Sequence, residues 1–180
     1  MIRALPIAAA AAVLAGCASP VVTRIDSASP VAVAAPASFA LAPVPDDLAP
    51  EHVQARDMVV AGLRQRGWRD AEAADYLLAV ALADRPATAN LKAGDDAGRA
   101  VAVLAPAATR DNNKGCARRD HRLGITLTER TSGVIAYSGS AAEFHCKAAL
   151  SESLPHLVTA ALDGMGRPSG SRQQERDGPR

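Results

Sequence analysis

Cys116, His121, His145 and Cys146 supply two thiols and two imidazoles, the ligand types of a tetrahedral zinc centre. Their order works against one. His145 and Cys146 are neighbours at the end of a segment with strand alternation, so their side chains leave opposite faces and do not converge on one ion. No metal site is expected. Ser132, Ser138 and Ser140 lie near the same histidines, but the chain has no Gly-x-Ser-x-Gly elbow, the strand-to-helix turn that exposes a hydrolase nucleophile. His121 and His145 read as surface residues, and Glu129 and Glu143 as exposed carboxylates loosely opposed across a hairpin. Gly94 and Gly98 are isolated and flank Asp95 and Asp96, which would repel a phosphate. No catalytic residue and no cofactor are therefore expected.

Lys114, Arg118, Arg119, His121 and Arg122 form a basic cluster, with Asp111 and Asp120 offsetting part of its charge. Such a cluster suits anionic headgroups or an envelope polymer, or is simply a solvated loop. Arg56 falls within the apolar arc of a helix, where its stem can lie over the sheet edge or its head can line a cleft. Trp68 directly follows a helix-ending glycine and reads as a cap packed on the sheet edge, with ligand stacking as the alternative. The candidate ligand or partner contacts are thus Arg56, Trp68, Arg118, Arg119 and Arg122.

The third cysteine carries a different chemistry. Met1-Ile2-Arg3 is a short cationic start, and Ala4 to Leu14 an apolar run made mostly of alanine. The run is too short for a span, which needs ~20 apolar residues, and has the size of a signal-peptide core. Leu14-Ala15-Gly16-Cys17 resembles the bacterial lipoprotein processing site. The resemblance implies cleavage before Cys17, whose sulfur and new amino group then carry lipid. Ala18 follows where an aspartate would otherwise stand; similar Gram-negative lipoproteins without that aspartate go to the outer membrane, facing the periplasm from its inner leaflet. Membrane attachment is expected through this lipid alone, and two or more acyl chains anchor stably where one is marginal.

Removing residues 1–16 from the 180 leaves 164, enough for one modest domain. Without Arg3 the 20 basic residues become 19, equal to the 19 acidic ones, so no broad cationic surface invites nucleic acid. With Cys17 lipidated, Cys116 and Cys146 are left together in an oxidising compartment. Leu123–Thr128 alternates apolar and polar residues, Val134–Tyr137 is a second strand, and Thr131-Ser132-Gly133 has the length and glycine of a hairpin loop. The register puts Arg130 opposite Val134 and Leu127 opposite Tyr137. Cys146 then faces Arg118, with Cys116 a diagonal neighbour on the same face. A Cys116–Cys146 disulfide is expected, worth ~3–4 kcal/mol as loop-closure entropy.

The elements that would position these residues follow in order. Residues 17–36 read as a lipidated cysteine and a flexible Ala/Pro-rich tether, reaching ~60 Å at ~3.1 Å per residue, with a short strand possible at Val21–Ile25. Residues 37–166 form a single domain. It opens on a strand at Ala37–Leu41 with Phe39 and Leu41 on one face. A helix follows from about Leu48 to Arg66, capped by Asp46 and Asp47, with Val53, Val59, Val60 and Leu63 along its arc. Tyr76–Ala83 reads as a central strand buried on both faces, residues 87–98 as a loop, and Arg99–Leu104 as a strand. The hairpin occupies about 121–146. A last helix begins near Ser153 with the stripe Leu154, Leu157, Val158, Ala161, Leu162 and Met165. Residues 167–180 read as a disordered polar tail. The fold class is α+β: a two-layer sandwich with a mixed, mainly antiparallel sheet of four to five strands and two helices on one face. The opening strand and Tyr76–Ala83 should be parallel.

Ser38-Phe39-Ala40-Leu41, the helix end Leu63–Trp68, Ala74-Asp75-Tyr76-Leu77-Leu78 and the segment Leu123–Gly139 resemble small bacterial envelope lipoproteins grouped by a domain of unknown function, DUF four-one-three-six. The resemblance covers roughly 37–166 and implies no defined activity. Together these readings describe a lipid-anchored, periplasm-facing, non-enzymatic binding or structural module of the cell envelope, whose partner is an envelope protein or lipid. A carrier holding a small apolar ligand between helices and sheet, around Arg56 and Trp68, is the alternative; an envelope hydrolase comes last.

Overall fold

The computed structural model describes residues 20–31, 33, 37–46, 48–87, 118–146 and 148–178, together with the backbone of 91–94 and 100–105. The elements run β1 (Val21–Ala28), β2 (Ser38–Leu41), α1 (Pro50–Gln65), β3 (Arg69–Asp70), β4 (Tyr76–Pro86), β5 (Leu91–Gly94), β6 (Ala100–Ala105), β7 (Arg119–Glu129), β8 (Ile135–His145), α2 (Leu150–Leu162) and β9 (Gly170–Arg176). Seven strands form one sheet in the order β3-β2-β4-β7-β8-β1-β9, and β5 pairs with β6 separately. The class is the expected α+β. The strand count of four to five was too low.

The strand read at Arg99–Leu104 is β6 of the separate pair, and two of the three further strands of the main sheet, β1 and β9, come from segments that read as tether and tail, the third being the short β3 after α1. β1 lies between β8 and β9 and is antiparallel to both, so residues 21–28 are part of the domain and the flexible tether does not extend to residue 36. β9 holds residues 170–176, which are therefore not a disordered tail. The physical reason is local weakness: Gly-Ser-Arg-Gln-Gln-Glu-Arg has no β-branched or aromatic residue, and only β1's open edge makes it a strand.

β2 is parallel to β4, as a crossover through α1 requires, while β7, β8, β1 and β9 are antiparallel to their neighbours. Ser38 and Asp75 clamp the start of the parallel pair. The Ser38 hydroxyl donates to Asp75 Oδ2 at 2.6 Å, and the Asp75 N–H donates back to Ser38 Oγ at 2.9 Å. The Ser38 hydroxyl, together with the Ser38 backbone N–H that donates to the same oxygen at 3.1 Å, holds the Asp75 carboxyl below the usual carboxylate range.

The hairpin register is as read, with Leu127 opposite Tyr137 and Arg119 opposite His145. Nearest the turn it slips: a bulge puts Thr128 opposite Ile135, so Arg130 does not pair with Val134. Ser132 causes this, bonding Glu129 Oε2 and accepting the Val134 N–H, with Gly133 in the left-handed region at φ +72°. β4 also departs from expectation. β2 reaches only to Leu78, so the rest of β4 is alternately part-buried and exposed rather than covered on both faces. His52 shields that edge by accepting the Leu82 N–H at 3.3 Å.

Both helices pack on the face bearing Ile25, Leu78, Leu123, Ile125, Leu127 and Tyr137, each about 1% exposed or less. α1 contributes Ala55, Val59, Val60 and Leu63, while Val53 is 46% exposed. Its N-cap is Ala49 without a side-chain bond, so Asp46 does not cap it; Asp47 lies outside the described residues. Gly67 at φ +82° closes its C-terminus. α2 buries Leu154, Leu157, Val158, Ala161 and Leu162, and Glu152 accepts the Ala149 N–H at its start. Gly139 fits where any side chain would not: a Cβ there would sit 2.7 Å from the Ala161 carbonyl oxygen.

Candidate functional site

One end of the sheet is polar. There β1 and β4 supply Thr23 and Asp84, β7 supplies Arg119 to Arg122, β8 supplies Glu143 to His145, and β9 supplies Arg176. Strand alternation deals these residues onto two faces, and each face centres on one buried carboxylate.

Toward the helices, Glu143 is fully buried. Thr23 Oγ1 donates to its Oε1 at 2.6 Å, and Arg176 Nε to the same oxygen at 3.0 Å. Arg176 Nη2 and His145 Nε2 meet Oε2 at 2.6 and 2.7 Å. An ionised carboxylate only accepts, so His145 Nε2 carries its proton and four donors fill the carboxylate's acceptor sites. Burial alone would raise Glu143, but the bonds from His145, Arg176 and Thr23 outweigh it and hold the group at about 2 rather than 4.5.

His145 stacks on His121 with ring centroids 4.8 Å apart. His121 Nδ1 lies 2.8 Å from Ser153 Oγ, whose hydroxyl donates to the Leu150 carbonyl at 3.0 Å. His121 must therefore donate through Nδ1, and Asp84 stands 3.6 Å from its Nε2. Ser153, His121 and Asp84 thus share the residue types of a hydrolase triad with the proton running from imidazole to hydroxyl, the reverse of nucleophile activation. Burial, then the neighbouring His145, push His121 below its ordinary value, and Asp84 opposes them. The reading of both histidines as surface residues is overturned: they are 1% and 5% exposed. Glu129 and Glu143 do not face one another; Glu129 pairs with Tyr76 and Glu143 with His121.

On the opposite face, Asp120 is also fully buried. Arg24 Nη2 donates to Oδ1 at 2.8 Å, Arg85 Nη2 to Oδ2 at 2.7 Å, and Arg122 Nε lies 3.8 Å away. The guanidinia of Arg24 and Arg118 lie 3.8 and 5.0 Å from the centre of the Phe144 ring, within cation–π range. The arginine side chains of Arg24, Arg85 and Arg122 keep 29%, 14% and 29% of their surface in solvent. Asp120 thus accepts from Arg24 and Arg85 with Arg122 beside it, and Arg118 joins the group through the Phe144 ring.

The basic cluster read from the sequence is therefore divided. Arg118 and Arg122 are on the open face, whereas Arg119 turns to the helix side and bonds Asp84 through both its side chain and its carbonyl. Lys114, Asp111 and Cys116 lie outside the described residues, as does Cys17. Cys146 is exposed just beyond β8. Arg56 donates to the Ala42 carbonyl at 3.2 Å, its stem over the sheet edge. Trp68 is 3% exposed and packs between Phe39 and Tyr76, with centroids 6.5 and 5.6 Å away. It is a core residue, and the space beneath α1 is filled by Val59, Leu63 and Leu78. Open grooves flank this packing: one of about 490 Å³ between the starts of both helices and β4, another of about 610 Å³ between Asp57, Val60 and Arg64 of α1 and the β2–β3 edge. Among the described residues no group of three or more His, Cys, Asp or Glu is arranged to hold a metal, and no helix is long and apolar enough to cross a membrane.

Arg24, Arg85, Phe144, Thr23 and Arg176 were missed from sequence. The hairpin register carried part of the signal, since it sets His121 opposite Glu143 and Asp120 opposite Phe144. For β1 the signal was the possible strand at Val21–Ile25, which places Thr23 and Arg24 on a strand but not beside β8; the contribution of β9 had none.

Solved structures share the fold of this chain. A PDZ domain protein from Parabacteroides distasonis aligns with a TM-score of 0.55 at 10% identity, over 87% of this chain and 38% of that one. The chain thus spans well under half of that protein, and the likeness is one of fold. A point variant of the PelC dodecamer from Paraburkholderia phytofirmans aligns with a TM-score of 0.48 at 15% identity, covering 79% of this chain and 96% of the other. A second crystal form of the dodecamer gives 0.48 at 13%, over 79% and 97%. No protein-family profile and no curated protein matches the chain.

Proposed function

We propose that the chain is a lipid-anchored, non-enzymatic binding module of the bacterial cell envelope, tethered through Cys17 and facing the periplasm from the inner leaflet of the outer membrane. The observation that carries this reading is the run Leu14-Ala15-Gly16-Cys17 behind a short cationic and apolar leader. The position of β1 supports it: every strand and helix of the described fold begins at Val21 or later, so cleavage before Cys17 removes none of them. The resemblance to DUF four-one-three-six lipoproteins belongs to the same proposal. So does the Cys116–Cys146 disulfide, which would pin the segment before β7 to the end of β8. The binding surface is the sheet face left uncovered by the helices.

Mass spectrometry of the protein isolated from membranes tests the reading. The expected product begins at Cys17 and carries the mass of a diacylglyceryl group and an acyl chain. A Cys17→Ser variant should leave the membrane fraction, and an intact leader on the mature protein would refute the proposal. The same preparation, unreduced, should show no free thiol.

A further inference from the structure

The chain passes from α2 to β9 through a loop that leaves and rejoins the fold at one residue. Gly164 is pressed on Ser27: a Cβ there would meet the Ser27 Cβ at 2.6 Å. Gly170, the first residue of β9, pairs with the same Ser27. Residues 165–169 therefore return to their starting point. The Met165 N–H donates to the Leu162 carbonyl at 3.0 Å and the Arg167 N–H to the Gly164 carbonyl at 3.2 Å, with Gly166 in the left-handed region at φ +79°. Straightened, the six steps from Gly164 to Gly170 would reach about 20–22 Å. The strand at the end of this loop has no buried residue. Besides its ladder to β1, Arg176 holds it on Glu143, Arg172 on the Ala160 carbonyl and Ser171 on Asp26. Its place could not stay empty, because Glu143 is fully buried and takes two of its four bonds from Arg176.

We propose that β9 exchanges between copies of this chain, so that two molecules complete each other's sheets and each buried Glu143 is met by an arginine of the other copy. The β1 edge accepts an extended strand that sets an arginine over Glu143, and β9 is the strand seen to fit it. A second copy carries that same strand. Every contact β9 makes with β1, β8 and α2 is the same in the closed and the exchanged form, so the two forms differ in the loop and in the pairing of two molecules. The closed loop needs a left-handed residue at position 166, and a straight hinge does not. Without a β-branched or aromatic residue in β9, little besides the ladder and the arginines opposes its release. A short flexible linker holds its own strand at an effective concentration of the order of 1 mM, so a partner's strand competes once the protein approaches that value.

The test uses the mature chain with Cys17→Ser, prepared as two single variants, Asp26→Cys and Ser171→Cys, at positions that pair across β1 and β9. The two are mixed, held near the urea midpoint, returned to buffer and oxidised with glutathione disulfide, and the linked positions are read by peptide mapping. At about 1 mM protein, links between position 26 of one copy and position 171 of another are expected in clear excess over links between like positions, which random collision makes as readily. Gly166→Pro favours exchange: proline cannot take φ +79° and turns the residue before it extended. Strain is then relieved at both hinges of the dimer, which should form at protein concentrations at least about 30-fold lower by light scattering. Asp26→Cys with Ser171→Cys in one chain, oxidised as the monomer, should stay monomeric at every concentration and dimerise after reduction and the same urea step. Links in the proportions of random collision would overturn the proposal. So would folded Gly166→Pro protein that remains monomeric at the higher concentration. The mixture carries no hinge substitution, so it decides the matter even where Gly166→Pro fails to fold.

Discussion

Glu143 and Asp120 are both fully buried at the same end of one sheet, yet their surroundings differ in kind. Glu143 is enclosed between sheet and α2 by one hydroxyl, one imidazole and one bidentate arginine, and its network closes on itself. Asp120 sits beneath arginines that remain partly in water and outnumber it. The first arrangement gains only cohesion: it ties β9 to β1 and β8. In the second, the side chains that hold the carboxylate keep part of their surface in water. A buried carboxylate is thus no sign of a functional site by itself; the balance and exposure of its partners separate a staple from a surface.

Removing the staple altogether should have the largest effect. A chain ending at Ser169 lacks β9, which takes from Glu143 two of its four bonds and leaves the β1 edge open. Breaking a buried ion pair costs ~3–5 kcal/mol, and the lost strand adds to it. Such a truncation should leave little folded protein at 37 °C by circular dichroism. A urea midpoint equal to that of the full chain would show that residues 170–180 are dispensable.

Single substitutions sharpen the contrast. Glu143→Gln replaces one accepting oxygen by an amide NH2 that faces donors and should cost ~3–5 kcal/mol. Asp120→Asn should cost only ~1–2 kcal/mol, because its arginines can turn to solvent. Equal costs in urea titrations would erase the distinction between the two faces.

Acid should reveal the same difference as a slope. Glu143 has its carboxyl depressed from 4.5 to about 2 in the fold, so its contribution is complete above pH 4.5 and is lost as pH falls toward 2. The shift corresponds to ~3 kcal/mol. His121 is also depressed, from 6.5. For a base the sign is reached differently: below 6.5 the unfolded chain takes up a proton that the fold resists, so stability again falls with pH. Two acid-labile windows are expected in thermal melts, one opening just below pH 6.5 and one below pH 4.5. His121→Phe should flatten the first and leave the second.

Much of the fold was legible. The alternation of β7 and the glycine at 133 fixed the hairpin register from Leu127 outward, and the helical stripes picked out Val59, Leu63, Leu154, Leu157 and Leu162. Trp68 was read as a cap packed on the sheet edge; it is buried between Phe39 of β2 and Tyr76 of β4. What was missed is long-range. Arg172 and Arg176 look like tail residues until β1 offers its edge, Glu143 waits below Arg176, and the Ala160 carbonyl lies 3.4 Å from Arg172. Glu143, His121 and His145 read as exposed because burial of a charged group depends on partners distant in sequence: Thr23 is 120 positions from Glu143. The arginine face was half seen, since Arg118 and Arg122 lie four positions apart in one segment while Arg24 and Arg85 arrive from other strands.

The smallest expected effect separates the two carboxylates most cleanly. Arg118 lies over Phe144 at 5.0 Å, the more distant of the two guanidinia on that ring, and an exposed cation–π contact contributes about 0.5–1 kcal/mol. Losing that contact alone in Arg118→Gln should therefore move the urea midpoint little. At Arg176 the cost is larger: that side chain gives Glu143 two of its four bonds, and Arg176→Gln should lower the midpoint by an amount nearer that of Glu143→Gln. A loss of stability at Arg118 matching that at Arg176 would mean the open face is a second staple rather than a surface.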